Sequence, residues 1–234
     1  MIGENSEIFG LQRLSLEKGV ERQIYMESSK KAKYRNTKRM KAEDRKELIL
    51  ESARAIIIEQ GFSLFSSRYV AEHCGIRLAT LQYYFKTTED LFRATFDYAI
   101  ELESIQVHKL IGDVGTDPEK NLRAQIRGHI RANAQHDTAG FFYQLWAKAN
   151  LDDFASLLMG EFYTGLCEQL AALLVEYNTS LSKRDANARA GMIMAFLEGA
   201  MMFTSPNSMK STKKFKFSEK MMIDTVLDLA LTDK

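Results

Sequence analysis

The sequence predicts an all-α chain: an N-terminal three-helix helix-turn-helix domain followed by a larger helical domain. Three observations predict it. Only two prolines and thirteen glycines occur in 234 residues, too few breakers for a chain of short strands and turns. Apolar residues recur at three and four over long stretches, with no strand-like alternation and no internal repeat. Near residue 75 the pattern shortens to two brief helices around a single glycine.

Each element has its own signals. From Asp44, Ile49, Ala53, Ile56, Ile57 and Gln60 mark an amphipathic helix that Gly61 ends. Ser66 offers an N-cap for a second helix over Ser67–His73, closed by Gly75. Ile76–Phe85 makes a third. Thr87 can cap the fourth, about Thr88–His108, whose early acids Glu89 and Asp90 suit a helix's positive end. Gly112, Gly115 and Pro118 mark a loop. Further helices are predicted over Pro118–Gln135, Gly140–Asn150, Asp152–Tyr177, Arg184–Phe203 and Glu219–Leu231, with Pro206 as a stop. Residues 1–42 lack periodicity and read as a flexible basic leader, in which Met26 and Met40 are alternative starts; residues 210–217 are polar and read as loose. The domains expected are thus 1–42, 43–93 and 94–234.

Composition excludes several classes. The length allows a core without disulfides or metals. Cys74 and Cys167 lie far apart and form no disulfide framework. The longest nearly apolar stretch, Met192–Phe203, carries Glu198 and is too short to span a bilayer. Glu4 and Glu7 replace the cationic start of a signal peptide. A cytoplasmic protein without membrane contact is expected.

Charge is uneven. The net charge is +1, but residues 30–93 hold fourteen Lys/Arg against eight Asp/Glu. A basic segment beside a slightly acidic bulk points to an anionic partner touching one end, with nucleic acid first and a solvated arm as the plain alternative.

A tight helix-turn-helix needs a small residue where the helices cross, a glycine in the turn and an apolar lock on the second helix. Ala71, Gly75 and Leu81 supply these, with Val70 and Ile76 filling the core. Around them run Tyr69-Val70-Ala71-Glu72-His73-Cys74-Gly75-Ile76, then Thr80-Leu81-Gln82-Tyr83-Tyr84-Phe85-Lys86, then Glu89-Asp90-Leu91. This stretch, over about residues 45–95, resembles the DNA-binding domain of the TetR family of bacterial transcriptional regulators. The family has a tyrosine where Gln82 stands, a histidine at Tyr84, and often a lysine at Thr88.

The resemblance implies a ligand-responsive regulator, most often a repressor, that binds a near-palindromic double-stranded DNA operator as a homodimer. It implies neither enzyme activity nor a cofactor. The recognition helices of such a dimer would sit roughly 34–36 Å apart, one turn of DNA. Leu78 and Ala79 suit a thymine methyl, and Gln82 an adenine edge. Arg68 is placed for a guanine or a phosphate, and Arg77, in the Arg77-Leu78-Ala79 run where the family has small or polar residues, is a further expected DNA contact. Ser67, Thr80, Tyr84 and Lys86 match the family's phosphate clamps, with Tyr83 beside them and Phe85 in the core. The basic arm could track phosphates or enter a minor groove.

The helices over 152–177 and 184–203 are the expected dimer bundle, through Leu170, Leu173, Leu174, Ile193, Met194, Leu197 and Met201. Burial within one subunit is the alternative. Leu102, Ile105, Ile126, Ile130, Phe142, Trp146, Phe162 and Leu166 are the expected lining of an effector site, apolar and aromatic, hence suited to a lipophilic or aromatic small molecule. The fourth helix joins both domains and is the natural lever. A second reading is a DNA-binding interaction protein whose C-terminal domain takes a protein partner and no small-molecule inducer.

The four histidines form no compact metal motif, and no metal is expected. No phosphate-binding loop, catalytic triad spacing or carboxylate pair stands out.

Overall fold

A computed structural model describes residues 41–112, 115–206 and 217–231. The basic leader, except for its last two positions, and the polar stretch before Phe217 lie outside the described residues. Among the described residues there are nine helices and no strand: α1 (Ala42–Gln60), α2 (Ser67–His73), α3 (Leu78–Tyr84), α4 (Thr88–Ile111), α5 (Pro118–Asn133), α6 (His136–Ala149), α7 (Asp153–Tyr177), α8 (Lys183–Thr204) and α9 (Glu219–Leu231). Two compact units divide inside α4, the first ending at Ile105 and the second starting at Gln106.

In the first unit, α1 turns Ile49, Leu50, Ala53 and Ile56 inward. They pack with Val70, Ala71 and Cys74 of α2 and its turn, Leu81 of α3, and Phe85, Leu91 and Tyr98. Phe62, Phe65 and Phe92 meet edge to face, with centroids 5.1–6.1 Å apart. Such burial and aromatic contact supply most of the stability of so small a core.

Caps fix the ends. Gly61, at φ 73°, donates to the Ile57 carbonyl and ends α1. Ser66 Oγ accepts from the Tyr69 amide and starts α2. Thr87 and Asp90 cap α4 reciprocally: the Asp90 amide donates to Thr87 Oγ1, and the Thr87 amide to Asp90 Oδ2. This is a capping box with Asp in the usual Glu position.

In the second unit, Leu122, Ile126 and Ile130 of α5 pack with Ala171 and Leu174 of α7, Ala190, Ile193, Met194 and Leu197 of α8, and Met222, Ile223, Val226 and Leu227 of α9. Three more caps act here: Asp117 on α5, Asp152 on α7 and Ser182 on α8. Arginines of α5 meet acids of α9. Glu219 takes Arg131 at 2.7 Å and Arg127 at 3.2 Å, and Arg123 reaches Asp224 at 3.7 Å. Arg189 donates to the carbonyl of Ala230, near the end of α9. Gly128 lets α5 close on the end of α4: a Cβ there would lie 3.0 Å from Ile111 Cγ1 and 3.2 Å from Val107 Cγ1.

Several helix boundaries differ from expectation. α3 starts at Leu78, not Ile76, because the Ile76 amide is committed to the Ala71 carbonyl in the preceding turn. α4 runs past His108 to Ile111, where Gly112 at φ 68° stops it. α5 ends at Asn133, not Gln135. α6 starts at His136, because helical bonding already begins with the Ala139 amide on the Gln135 carbonyl. Gly140 is buried inside that helix.

Candidate nucleic-acid interface and effector region

The turn between α2 and α3 is a Schellman motif. The Ile76 amide donates to the Ala71 carbonyl at 3.0 Å, and the Gly75 amide to the Glu72 carbonyl at 2.9 Å. Gly75 has φ 66°, with open space where a Cβ would stand. Its requirement is therefore conformational, not steric crowding. Ala71 is buried at the crossing, and Leu81 is fully buried beneath α3. The three positions expected to build the hairpin do build it.

With Leu81 facing in, α3 turns the rest of its surface outward. Arg77, Ala79, Gln82 and Tyr83 are exposed; Leu78, Thr80 and Tyr84 are half-buried. Tyr83 is 82% exposed and meets the Tyr84 ring edge to face at 5.3 Å. Arg68 on α2 and Lys86 after α3 are exposed as well. Ser67 Oγ and Thr88 Oγ1 lie 3.0 Å apart, so the start of α2 is tied to the start of α4. Tyr69 OH donates to Gln60 Oε1 at 2.8 Å, bracing α2 against the end of α1. Neither link was evident in the sequence. Phe85 is core, as expected, and Lys46 Nζ lies 6.0 Å above its ring.

Cys74 is buried in the turn, and burial raises its thiol pKa despite a hydrogen bond from Ser52. A thiol so held is a poor nucleophile.

The residues expected to line an effector site are not all together. Phe142, Trp146 and Phe162 are: Phe142 stacks on Phe162 at 5.6 Å and meets Trp146 at 6.4 Å. Leu166 packs on the core that holds Ile126 and Ile130. Leu102 instead packs against the first unit's core, and Ile105 is the last residue of that unit. The reason is the length of α4, whose earlier turns serve the first core before the helix enters the second unit.

The residues expected at a dimer face pack against the chain's own core. Leu174, Ile193, Met194, Leu197 and Met201 are buried within the single chain, and Leu170 and Leu173 pack against the same core. Periodicity marked an apolar stripe correctly but could not say whose core it enters. The outer surface of α7 and α8 carries other residues: Leu157 and Gly160, then Ala188, Gly191, Met192, Ala195 and Met202, with Leu157 at 55% and Met192 at 58% exposure.

Sequence reasoning also passed over a polar group in the second unit. Trp146 Nε1 donates to Tyr163 OH at 2.9 Å. Tyr163 and Asn133 in turn hydrogen-bond the Glu198 carboxyl, which burial holds up to about 7. The signal available was Glu198 itself, a lone acid inside the apolar stretch 192–203. His129, on the same helix as Asn133, is pushed below the usual histidine range by burial and then by His108. Among the described residues, no group of His, Cys, Asp and Glu could hold a metal ion, and no helix is long and apolar enough to cross a membrane.

A two-helix hairpin with a left-handed glycine turn and an outward-facing second helix has the form of a helix-turn-helix. Residues 49–95 match the model of the family described as bacterial regulatory proteins, tetR family. Residues 49–95 thus carry a DNA-binding domain of the tetR family, and a helical region follows it. Regulators of this family bind DNA and are not enzymes.

Solved structures share the fold. A protein from Pseudomonas aeruginosa PAO1 assigned as a transcriptional regulator is 14% identical, covering 84% of this chain and 93% of its own, with a TM-score of 0.68. A member of the TetR family from Streptomyces coelicolor is 19% identical, covering 80% and 98%, with a TM-score of 0.61. A TetR transcription regulator from Haloarcula marismortui is 19% identical, covering 80% and 97%, with a TM-score of 0.61. No curated protein matches the chain.

Proposed function

We propose that this regulator is a cytoplasmic homodimeric repressor that binds a near-palindromic operator and is released by a lipophilic or aromatic small molecule. The observation that carries the DNA-reading part is the outward face of α3. Leu81 locks the helix to its core, while Arg77, Ala79, Gln82 and Tyr83 stay free for a major groove. In this reading Gln82 reads an adenine edge, and Leu78 and Ala79 touch thymine methyls. Arg68, Ser67, Thr80, Tyr84 and Lys86 hold phosphates and fix the register.

Dimerisation is assigned to the outer faces of α7 and α8, where Leu157, Met192 and Met202 leave apolar surface in water. The small residues Gly160, Ala188, Gly191 and Ala195 beside them allow a second pair of helices to approach closely. The effector is assigned to the aromatic group of Phe142, Trp146 and Phe162. It would act by linkage, through a higher affinity for the state that does not fit DNA.

The test is binding to labelled DNA from the gene's own upstream region, titrated against salt. Selective, nanomolar binding with a log–log salt slope of roughly −5 or steeper is expected from several phosphate contacts. Gln82→Ala with Tyr83→Ala removes only exposed side chains from α3 and should abolish selectivity while leaving the fold intact. Binding that is equal on any DNA and unchanged in that variant would overturn the assignment of α3.

A further inference from the structure

Glu198 on α8 is a carboxyl placed where few carboxyls are found. It is flanked by Tyr163 and Asn133, and its Oε2 is buried with no hydrogen-bond partner among the described residues. Tyr163 already receives the indole N–H of Trp146, so its own proton is directed to Glu198. The Tyr163 ring sits 5.2 Å from Phe162, which stacks on Phe142, and Phe142 adjoins Trp146. The second unit thus holds an acid with a spare acceptor, bonded to Tyr163, whose ring belongs to a group of four aromatic side chains.

A buried carboxylate with an unfilled acceptor is costly unless it is protonated or meets a cation. Aromatic faces favour the same partner, because the ring quadrupole attracts positive charge most strongly where water is excluded. An anion would meet repulsion from the acid, and a neutral hydrocarbon would leave Oε2 unsatisfied.

We infer that the effector of this regulator is a lipophilic cation, its positive group met by Glu198 and its apolar body by Phe142, Trp146, Phe162 and Tyr163. The inference rests on the effector reading above and narrows it to one charge class. Glu198 serves as the charge-selecting residue, and Tyr163 holds its carboxyl in place.

The chain has a single tryptophan, Trp146, so its fluorescence reports occupancy of this site. Two probe pairs of matched shape are titrated at pH 8: benzyltrimethylammonium against neutral neopentylbenzene, and tetraphenylphosphonium against tetraphenylborate. At least one cation should bind ten times more tightly than its counterpart, and Glu198→Gln should erase that preference. Tyr163→Phe should weaken it several-fold. Absence of a charge preference in both pairs, or a preference that Glu198→Gln leaves intact, overturns the inference. If the Gln variant does not fold, the paired comparison on the unaltered protein still decides. Operator binding is measured on the same preparation. Retained DNA binding with no cation preference rejects this inference alone, whereas loss of selective DNA binding rejects the regulator reading itself.

Discussion

At the scale of single residues, two positions hold energy that other side chains cannot replace. Gly75 sits at φ 66° in open space, so Gly75→Ala meets no clash and isolates the cost of the backbone conformation. Chemical denaturation should show a loss of about 1–2 kcal/mol. Glu198 makes stability depend on pH. Its carboxyl titrates near 4.5 unfolded and about 7 folded, so the folded state keeps a proton that the unfolded state releases between those values. Stability from this residue is full below about pH 4.5 and is lost as pH rises through about 7, by roughly 3 kcal/mol. Denaturation of Glu198→Gln should therefore gain on the unaltered protein between pH 5 and pH 8. Parallel curves would mean that the carboxyl is solvated after all. The hairpin was legible because each of its positions allows few residue types: a small crossing residue, a left-handed glycine and an apolar lock. Glu198 was harder to see, because one acid in an apolar run reads the same whether it faces water or the interior.

Individual elements were legible where a cap or a breaker marks them. Ser66, Gly61, Thr87 and Gly75 fix the ends of α1, α2 and α4 through local bonds that composition announces. Boundaries moved where a backbone amide was claimed by a neighbouring turn, as with Ile76, or where helical bonding began before the apolar stripe, as with α6. Ser66→Ala should cost about 1 kcal/mol, since it orphans the Tyr69 amide at the start of α2. The pairing of α5 with α9 is held by core contacts more than by charge. Glu219, kept below the usual carboxylate range chiefly by its hydrogen bond from Arg131, remains partly open to water. Glu219→Gln should cost about 1 kcal/mol or less, and less still in high salt. A larger loss would show that the cluster with Arg127 and Arg131 acts as a network.

For the whole molecule, the apolar stripes that periodicity reveals belong first to the chain's own core. Leu174 and Ile193 are fully buried within the single chain, so the strongest stripe is taken up by the chain's own core. What sequence alone conceals is the weaker, outer stripe of small residues and methionines on α8. Met192→Glu should leave helix content and thermal stability nearly unchanged, because its side chain makes little use of the core. In light scattering it should shift the protein from dimer to monomer, and its operator affinity should fall by at least tenfold as two half-sites become one. A dimer that persists would move the interface elsewhere on the surface.

The contact between Ser67 and Thr88 has a consequence in the count of protons. Each hydroxyl owns one hydrogen and can accept twice. At 3.0 Å one of them gives its hydrogen to the other, and the receiving oxygen keeps its own. The pair therefore always has one hydrogen left to donate outward, whichever way the internal bond points. Two neutral side chains thus present a single standing donor at the junction of α2 and α4. It carries no charge for salt to screen, so whatever it binds should be held by direction more than by ionic attraction.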